Sequence, residues 1–155
     1  MIKNSILLSA LLMLQASCAP VQTTGQCDFS QLSGEISKNA PALVSDVADA
    51  TAPEALNAVS FSDANIMYKI MPRSVRTNRT ETGTANVEAN LVNCTDYPLS
   101  VQARTQFYNK NNVRTEDVSG WTTLFLGAHS SETYQMQSIS GDEAVRFSIE
   151  LRENR

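Results

Sequence analysis

Between residues 84 and 108 the chain alternates apolar and polar positions twice, with a proline-containing break between the two runs. Ala85, Val87, Ala89 and Leu91 fall on one side and Asn86, Glu88 and Asn90 on the other; after the break Leu99, Val101, Ala103 and Phe107 oppose Ser100, Gln102, Arg104 and Gln106. A period of two is that of a strand with one buried face, and the two runs read as a pair of adjoining strands. A sheet with one apolar face must cover it, and in a chain of short strands a second antiparallel sheet serves.

The same period recurs on both sides of this stretch. Ile66, Tyr68 and Ile70 alternate with Met67, Lys69 and Met71 up to Pro72, which marks an edge or a bulge because it cannot donate to a ladder. Residues 75–81 read as extended and polar, and Gly83 supplies the turn that follows. Further turns are expected at 109–112, 127–131 and Gly141-Asp142. Between them, residues 113–118 lead through Gly120 into a strand with Trp121, Thr123 and Phe125 on one side and Leu124 and Leu126 on the other. Tyr134 and Met136 alternate with Gln135 and Gln137, and Val145, Phe147, Ile149 and Leu151 alternate with Arg146, Ser148, Glu150 and Arg152. About seven strands at this spacing predict an all-β, immunoglobulin-like antiparallel sandwich over residues 61–155. Trp121 and Phe147 are expected between its sheets, with Leu91, Val101 and Phe107.

Upstream the period changes. Over residues 28–60, Asp28 and Gln31 read as a cap for a turn carrying Leu32 and Ile36, and Leu43, Val44 and Val47 form a stripe opposite Asp46 and Asp49. Thr51-Ala52-Pro53-Glu54 reads as a capping box opening a helix through Leu56 and Val59. Helices this short depend on packing, so they are expected to lie against the sandwich.

The N-terminus reads as an address. Lys3 precedes an apolar run over residues 6–14 that is too short to span a bilayer and has the form of a secretory h-region, which makes residues 1–17 a signal peptide. Gln15-Ala16-Ser17-Cys18 resembles the bacterial lipobox, whose cysteine becomes the acylated N-terminus. That resemblance makes Cys18 the lipidation site, and Ala19 after it is compatible with sorting to the outer membrane. Ordinary signal cleavage, giving a soluble periplasmic protein, is the alternative. Residues 18–27 then form a tether without apolar periodicity. Of three cysteines, lipidation uses Cys18, and Cys27 and Cys94 remain either to pair as a disulfide or to stay as two buried thiols. A formal charge of -4 and a pI near 4.9 argue against a nucleic-acid partner.

The segments NVEANLVNCTDYPL, RTQFYNKNNV, GWTTLFLGAHSSETYQMQS and AVRFSIELRE carry a more specific likeness. The order of Asn93, Pro98 and Leu99, then Phe107, Tyr108 and Asn109, then Trp121, Leu124 and Leu126, then Leu151 and Arg152 resembles the YcfL-like family of small bacterial lipoproteins, a domain of unknown function. The likeness spans roughly residue 75 to the C-terminus. It implies an immunoglobulin-like sandwich in a periplasm-facing lipoprotein and carries no catalytic residue across.

Candidate chemistry is sparse. His129 is the only histidine and lies in a turn; with Met67, Met71 and Met136 it is the one set that suits a soft metal such as cuprous copper, although methionine in a sandwich ordinarily fills core. No G-x-S-x-G elbow or nucleophile-base arrangement occurs, so neither metal, cofactor nor catalysis is expected. Arg73, Arg76, Arg79 and Arg104 are the candidate patch for an anionic partner such as lipid headgroups, cell-wall carboxylates or an acidic protein, against the plainer reading of solvated edge-strand gatekeepers. The expectation is a non-catalytic binding or accessory module of the bacterial envelope, attached to the membrane and engaging an envelope protein or the cell wall. The competing reading is a component of a secretion or conjugation assembly.

Overall fold

The computed structural model describes residues 27–29, 40–45, 56–115 and 118–154. Eight strands lie among them: β1 (Ala42–Leu43), β2 (Val59–Phe61), β3 (Ile70–Arg79), β4 (Ala85–Asn93), β5 (Leu99–Tyr108), β6 (Thr122–Leu126), β7 (Ser131–Gln137) and β8 (Arg146–Glu153). They form two packed sheets. The larger runs β1-β8-β5-β6 with β2 also on β8, and the smaller runs β3-β4-β7. The β3–β4 and β5–β6 connections stay within a sheet, whereas β4–β5, β6–β7 and β7–β8 cross between sheets, the Greek-key habit of immunoglobulin-like sandwiches.

The alternating runs bury the faces their patterns define. Ala85, Val87, Ala89 and Leu91 of β4 meet Val101, Ala103 and Phe107 of β5 and Phe147, Ile149 and Leu151 of β8 in one core. The runs 85–91 and 99–107, expected to adjoin, are nevertheless not paired with each other. β4 bonds β3 and β7, β5 bonds β6 and β8, and the two face one another across the core. Alternation specifies which side is buried; it carries no information on which strand lies alongside.

Asn93 explains why the chain changes sheets here. Its fully buried amide nitrogen lies 2.8, 3.2 and 2.9 Å from the carbonyl oxygens of Tyr97, Leu126 and Gly127. Its Oδ1 accepts from the Thr95 amide and hydroxyl at 2.9 and 2.8 Å. These bonds close residues 94–97 into an arch and dock the end of β6 against it.

Four local readings change. Where a helix is expected at Leu43 and Val44, the chain forms strand β1, antiparallel to β8 with Ala42 opposite Phe147, and the Val44 amide then donates to the Val145 carbonyl. The helix expected through Leu56 and Val59 is a single 3₁₀ turn, Leu56–Ala58, followed by β2, which runs parallel to β8 with Val59 opposite Ile149. β1 and β2 thus lie end to end along one edge of β8, where short apolar segments gain ladder bonds that an isolated turn of helix lacks. The remainder of the expected helical segment, 30–39 and 46–55, lies outside the described residues, as do the signal peptide, Cys18 and tether residues 19–26. Residues 64–69 form a hydrogen-bonded turn with Ile70 donating to Ile66, so the expected strand there begins only at Ile70. Residues 113–118 likewise contribute a lone Tyr108–Arg114 bridge among those described.

Pro72 does sit at a bulge on an edge strand: Pro72 faces Leu91 and Ser74 faces Asn90, leaving Arg73 as the extra residue. Gly83, Asn112, His129 and Gly141 take positive φ at the expected turns.

Two predictions follow from the core. Phe147 is fully buried, and Phe147→Ala is expected to lower the unfolding free energy by about 3 to 5 kcal/mol in urea titrations, through lost transfer energy and a residual cavity. Tyr134 on β7 is 1% exposed, and its hydroxyl lies 2.9 Å from the Thr105 hydroxyl on β5, bridging the sheets. Burial raises its pKa above the ordinary value of 10.0, opposed in part by hydrogen bonds to Thr105 and Ser119. A raised pKa means that the stability is complete below the unfolded-state value and is lost as pH climbs toward the folded one. Stability should therefore decline above about pH 10, and Tyr134→Phe should flatten that decline while costing about 1 kcal/mol near neutrality.

Candidate functional site

The outer face of the larger sheet is built by residues two apart on β5 and β8. Gln102 stands opposite Arg152, and Arg104 opposite Glu150. On the other side of β5, Thr123 stands opposite Gln102, and Trp121, two residues earlier, continues this face alongside Arg104. The indole is held between two guanidinium groups, with Arg104 Cζ 4.3 Å and Arg152 Cζ 3.8 Å from its ring centroid. Trp121 is thus half-buried on the outside of the sheet, contrary to the expected place between the sheets. Its side of the strand, shared with Thr123 and Phe125, agrees with the alternation; the core lies on the side of Leu124 and Leu126.

Polar bonds fix both stacked cations. Glu150 Oε2 accepts from Arg104 Nε at 2.7 Å and lies 2.6 Å from Nη2, with both side chains about 30% exposed. Arg152 Nε donates to Gln102 Oε1 at 2.9 Å, and Gln102 Nε2 donates to Thr123 Oγ1 at 3.3 Å. The terminal nitrogens of Arg152 have no protein acceptor among the described residues. Arg152 also lines an open depression of about 530 Å³ with Ser62, Asp63, Ala64, Gln102, Glu153 and Asn154. A guanidinium whose face is covered by an aromatic ring still offers its N–H edge, and it loses less rotamer freedom on binding a carboxylate. Phe125, 74% exposed, stands on the same face along β6.

The four arginines singled out by sequence do not converge. Arg104 belongs to the stack just described, on the larger sheet; the other three lie on β3 of the smaller one. There the bulge resets the parity: Arg73 and Arg76 are exposed, with Arg76 opposite Glu88, while Arg79 stands opposite Ala85. The Arg79 guanidinium donates to the Gly83 and Ala144 carbonyls at 2.9 and 2.8 Å, holding two turns together. Arg152, which the alternation placed on the same side as Glu150, and Trp121, expected in the core, are the members of the site that the sequence reading missed.

Cys27 and Cys94 form a disulfide, with Cα atoms 5.9 Å apart and a sequence separation of 67. By chain entropy such a bridge contributes about 4 kcal/mol. Of the soft-metal set, Met67 lies in the 64–69 turn, off the strand that carries Met71, Met136 packs on the core, and His129 Nε2 is 2.7 Å from Asp96 Oδ1. Among the described residues no group of three or more histidine, cysteine or acidic side chains is placed to hold a metal ion.

No protein-family model matches the chain, and no curated protein does. Among solved structures it is similar to cj0090 of Campylobacter jejuni, with a TM-score of 0.52 and 14% identity over 63% of this chain and 98% of that one. It is also similar to a DUF1425 family member from Shewanella sp. pv-4, with a TM-score of 0.49 and 23% identity over 56% of this chain and 79% of that one. At 14% identity the similarity to cj0090 extends to the β-sandwich fold and no further.

Proposed function

We propose that this protein is a lipid-anchored module of the bacterial envelope, facing the periplasm from the outer membrane, whose sandwich binds a carboxylate-bearing envelope partner without catalysing a reaction. The observation that carries this reading is the Arg104–Trp121–Arg152 stack. Two cations are pinned on one aromatic ring, the edge of Arg152 opens on a polar depression, and an exposed Phe125 stands nearby. An apolar contact beside an oriented guanidinium suits an acidic protein surface or the stem-peptide carboxylates of the cell wall. The Cys27–Cys94 bridge agrees with an oxidising compartment. The h-region before Cys18 and the resemblance to YcfL-like lipoproteins support the anchor.

Two experiments test this. Mass spectrometry of the mature protein is expected to find acyl chains on Cys18, and Cys18→Ala to release the protein from membranes; an unmodified N-terminus elsewhere removes the anchor. A photocrosslinking amino acid at Thr123, beside the stack, is expected to capture a partner or cell-wall fragments that the same probe at Thr133, an exposed position on β7, does not. Arg152→Ala should abolish the Thr123 capture while changing stability by less than about 1 kcal/mol, as for an exposed cation–π contact. Equal capture at both positions, or capture indifferent to Arg152→Ala, overturns the assignment of this face.

A further inference from the structure

The disulfide settles where the chain leaves the sandwich. Cys94 follows β4 directly, and its amide donates to the Lys69 carbonyl at 2.8 Å; His129 donates its amide to the Thr95 carbonyl at 3.3 Å. Residues 66–69, 94–97 and 127–130 therefore make up one end of the domain, and Cys27 is bonded to it. The opposite end holds residues 109–115 and 138–145, joined by the Val145 amide to the Tyr108 carbonyl and by the Ser140 hydroxyl to the Thr115 carbonyl.

Nine residue steps separate Cys18 from Cys27, a span of at most about 32 Å however the segment is arranged. β5 alone, ten residues long, measures about 33 Å from one end of the sandwich to the other. A bilayer holding Cys18 can thus touch the Cys27 end with slack, while the far end comes within reach only if the whole link is drawn taut along the flank. The exposed Leu43, Val113 and Ile139 lie at or beside that far end, so they are poorly placed for lipid.

The near end carries side chains that suit a bilayer surface. Tyr68 is 71% and Tyr97 49% exposed. Tyr68 is steadied by an edge-to-face contact with Phe29, two residues beyond Cys27, at 6.0 Å between centroids. The backbone of Tyr97 is held through its carbonyl by Asn93 and by the Thr95 hydroxyl. A tyrosine ring is apolar with a polar tip, which favours the headgroup layer where one end is dry and the other wet. The charges here are mixed, Lys69 and the His129–Asp96 pair, with no basic cluster among the described residues to select anionic lipid.

We propose that this end of the sandwich rests on the bilayer to which Cys18 is anchored, with Tyr68 and Tyr97 seated among the headgroups. The inference rests on the acylation of Cys18 and adds an orientation to it: the Trp121 face, midway along the strands, then points sideways into the periplasm. The test uses full-length protein purified from membranes and reconstituted in phosphatidylethanolamine–phosphatidylglycerol vesicles containing brominated phosphatidylcholine. Trp121→Phe removes the single native tryptophan, and Tyr97→Trp or Val113→Trp then reports one end each. Quenching by at least half with Tyr97→Trp and by less than a tenth with Val113→Trp is the expected result, little changed in 0.5 M salt. Equal quenching at both ends, or quenching confined to Val113→Trp, overturns the orientation. An acylated chain quenched at neither position overturns it also, and would make the two tyrosines a protein-docking pair. A mass without acyl groups on Cys18 overturns the anchor and the orientation together.

Discussion

A single buried amide decides how the two sheets are joined. With both polar atoms of its side chain enclosed, Asn93 is bonded to the arch that leads from β4 to β5 and to the segment that leads from β6 to β7. Both connections cross between sheets at this end, and the bond to the Leu126 carbonyl is buried. Without the amide, the Leu126 carbonyl would be left buried and unpaired, at a cost of about 1 to 3 kcal/mol. Everything at this end of the molecule depends on the arrangement: the position of Cys94 for its partner, the setting of Tyr97, and the placement of β5 across the core from β4.

The parts of the fold legible in the sequence were those set by local geometry. Strict alternation in β4, β5 and β8 identified the residues of the core, and Gly83, Gly141 and the asparagine-rich 109–112 segment marked turns where positive φ is needed. Partnership between strands was not legible, because a period of two is satisfied equally by a neighbour in the same sheet and by a layer opposite. The short segments around Leu43 and Val59 fit a helical stripe as well as a strand, and only the open edge of β8 decides between them. Trp121 illustrates the same limit. Its side of β6 followed from alternation, but the outward sense of that side depends on Leu124 and Leu126 facing the core, and a tryptophan is drawn inward by size alone.

The arginines show how one extra residue alters a surface. An unbroken β3 would set Arg73 and Arg79 on one face and Arg76 on the other. The bulge at Pro72 advances the pattern by one, so Arg73 and Arg76 turn outward while Arg79 reaches over the end of the sheet to tie two turns. Arg104 and Arg152 come together only through the register of β5 with β8, in which positions 48 apart in sequence become near neighbours. A candidate site assembled from arginines close in sequence was therefore dispersed, and the one that formed drew on residues from three strands.

The position of β8 also governs when the larger sheet can exist. β1 and β2 have no other strand among the described residues to pair with, and β5 on its far side holds only the short β6. A chain made from its N-terminus produces all four of these strands before β8, so they wait for a strand that arrives last. The smaller sheet is complete before β8: β3 and β4 are made in succession, and β7 follows after β5 and β6. Its apolar face stays uncovered until β8 slots between segments made more than eighty residues earlier and others made some forty residues earlier. In this order β1 and β2 have no described strand to pair with until the final one, β8, has been made.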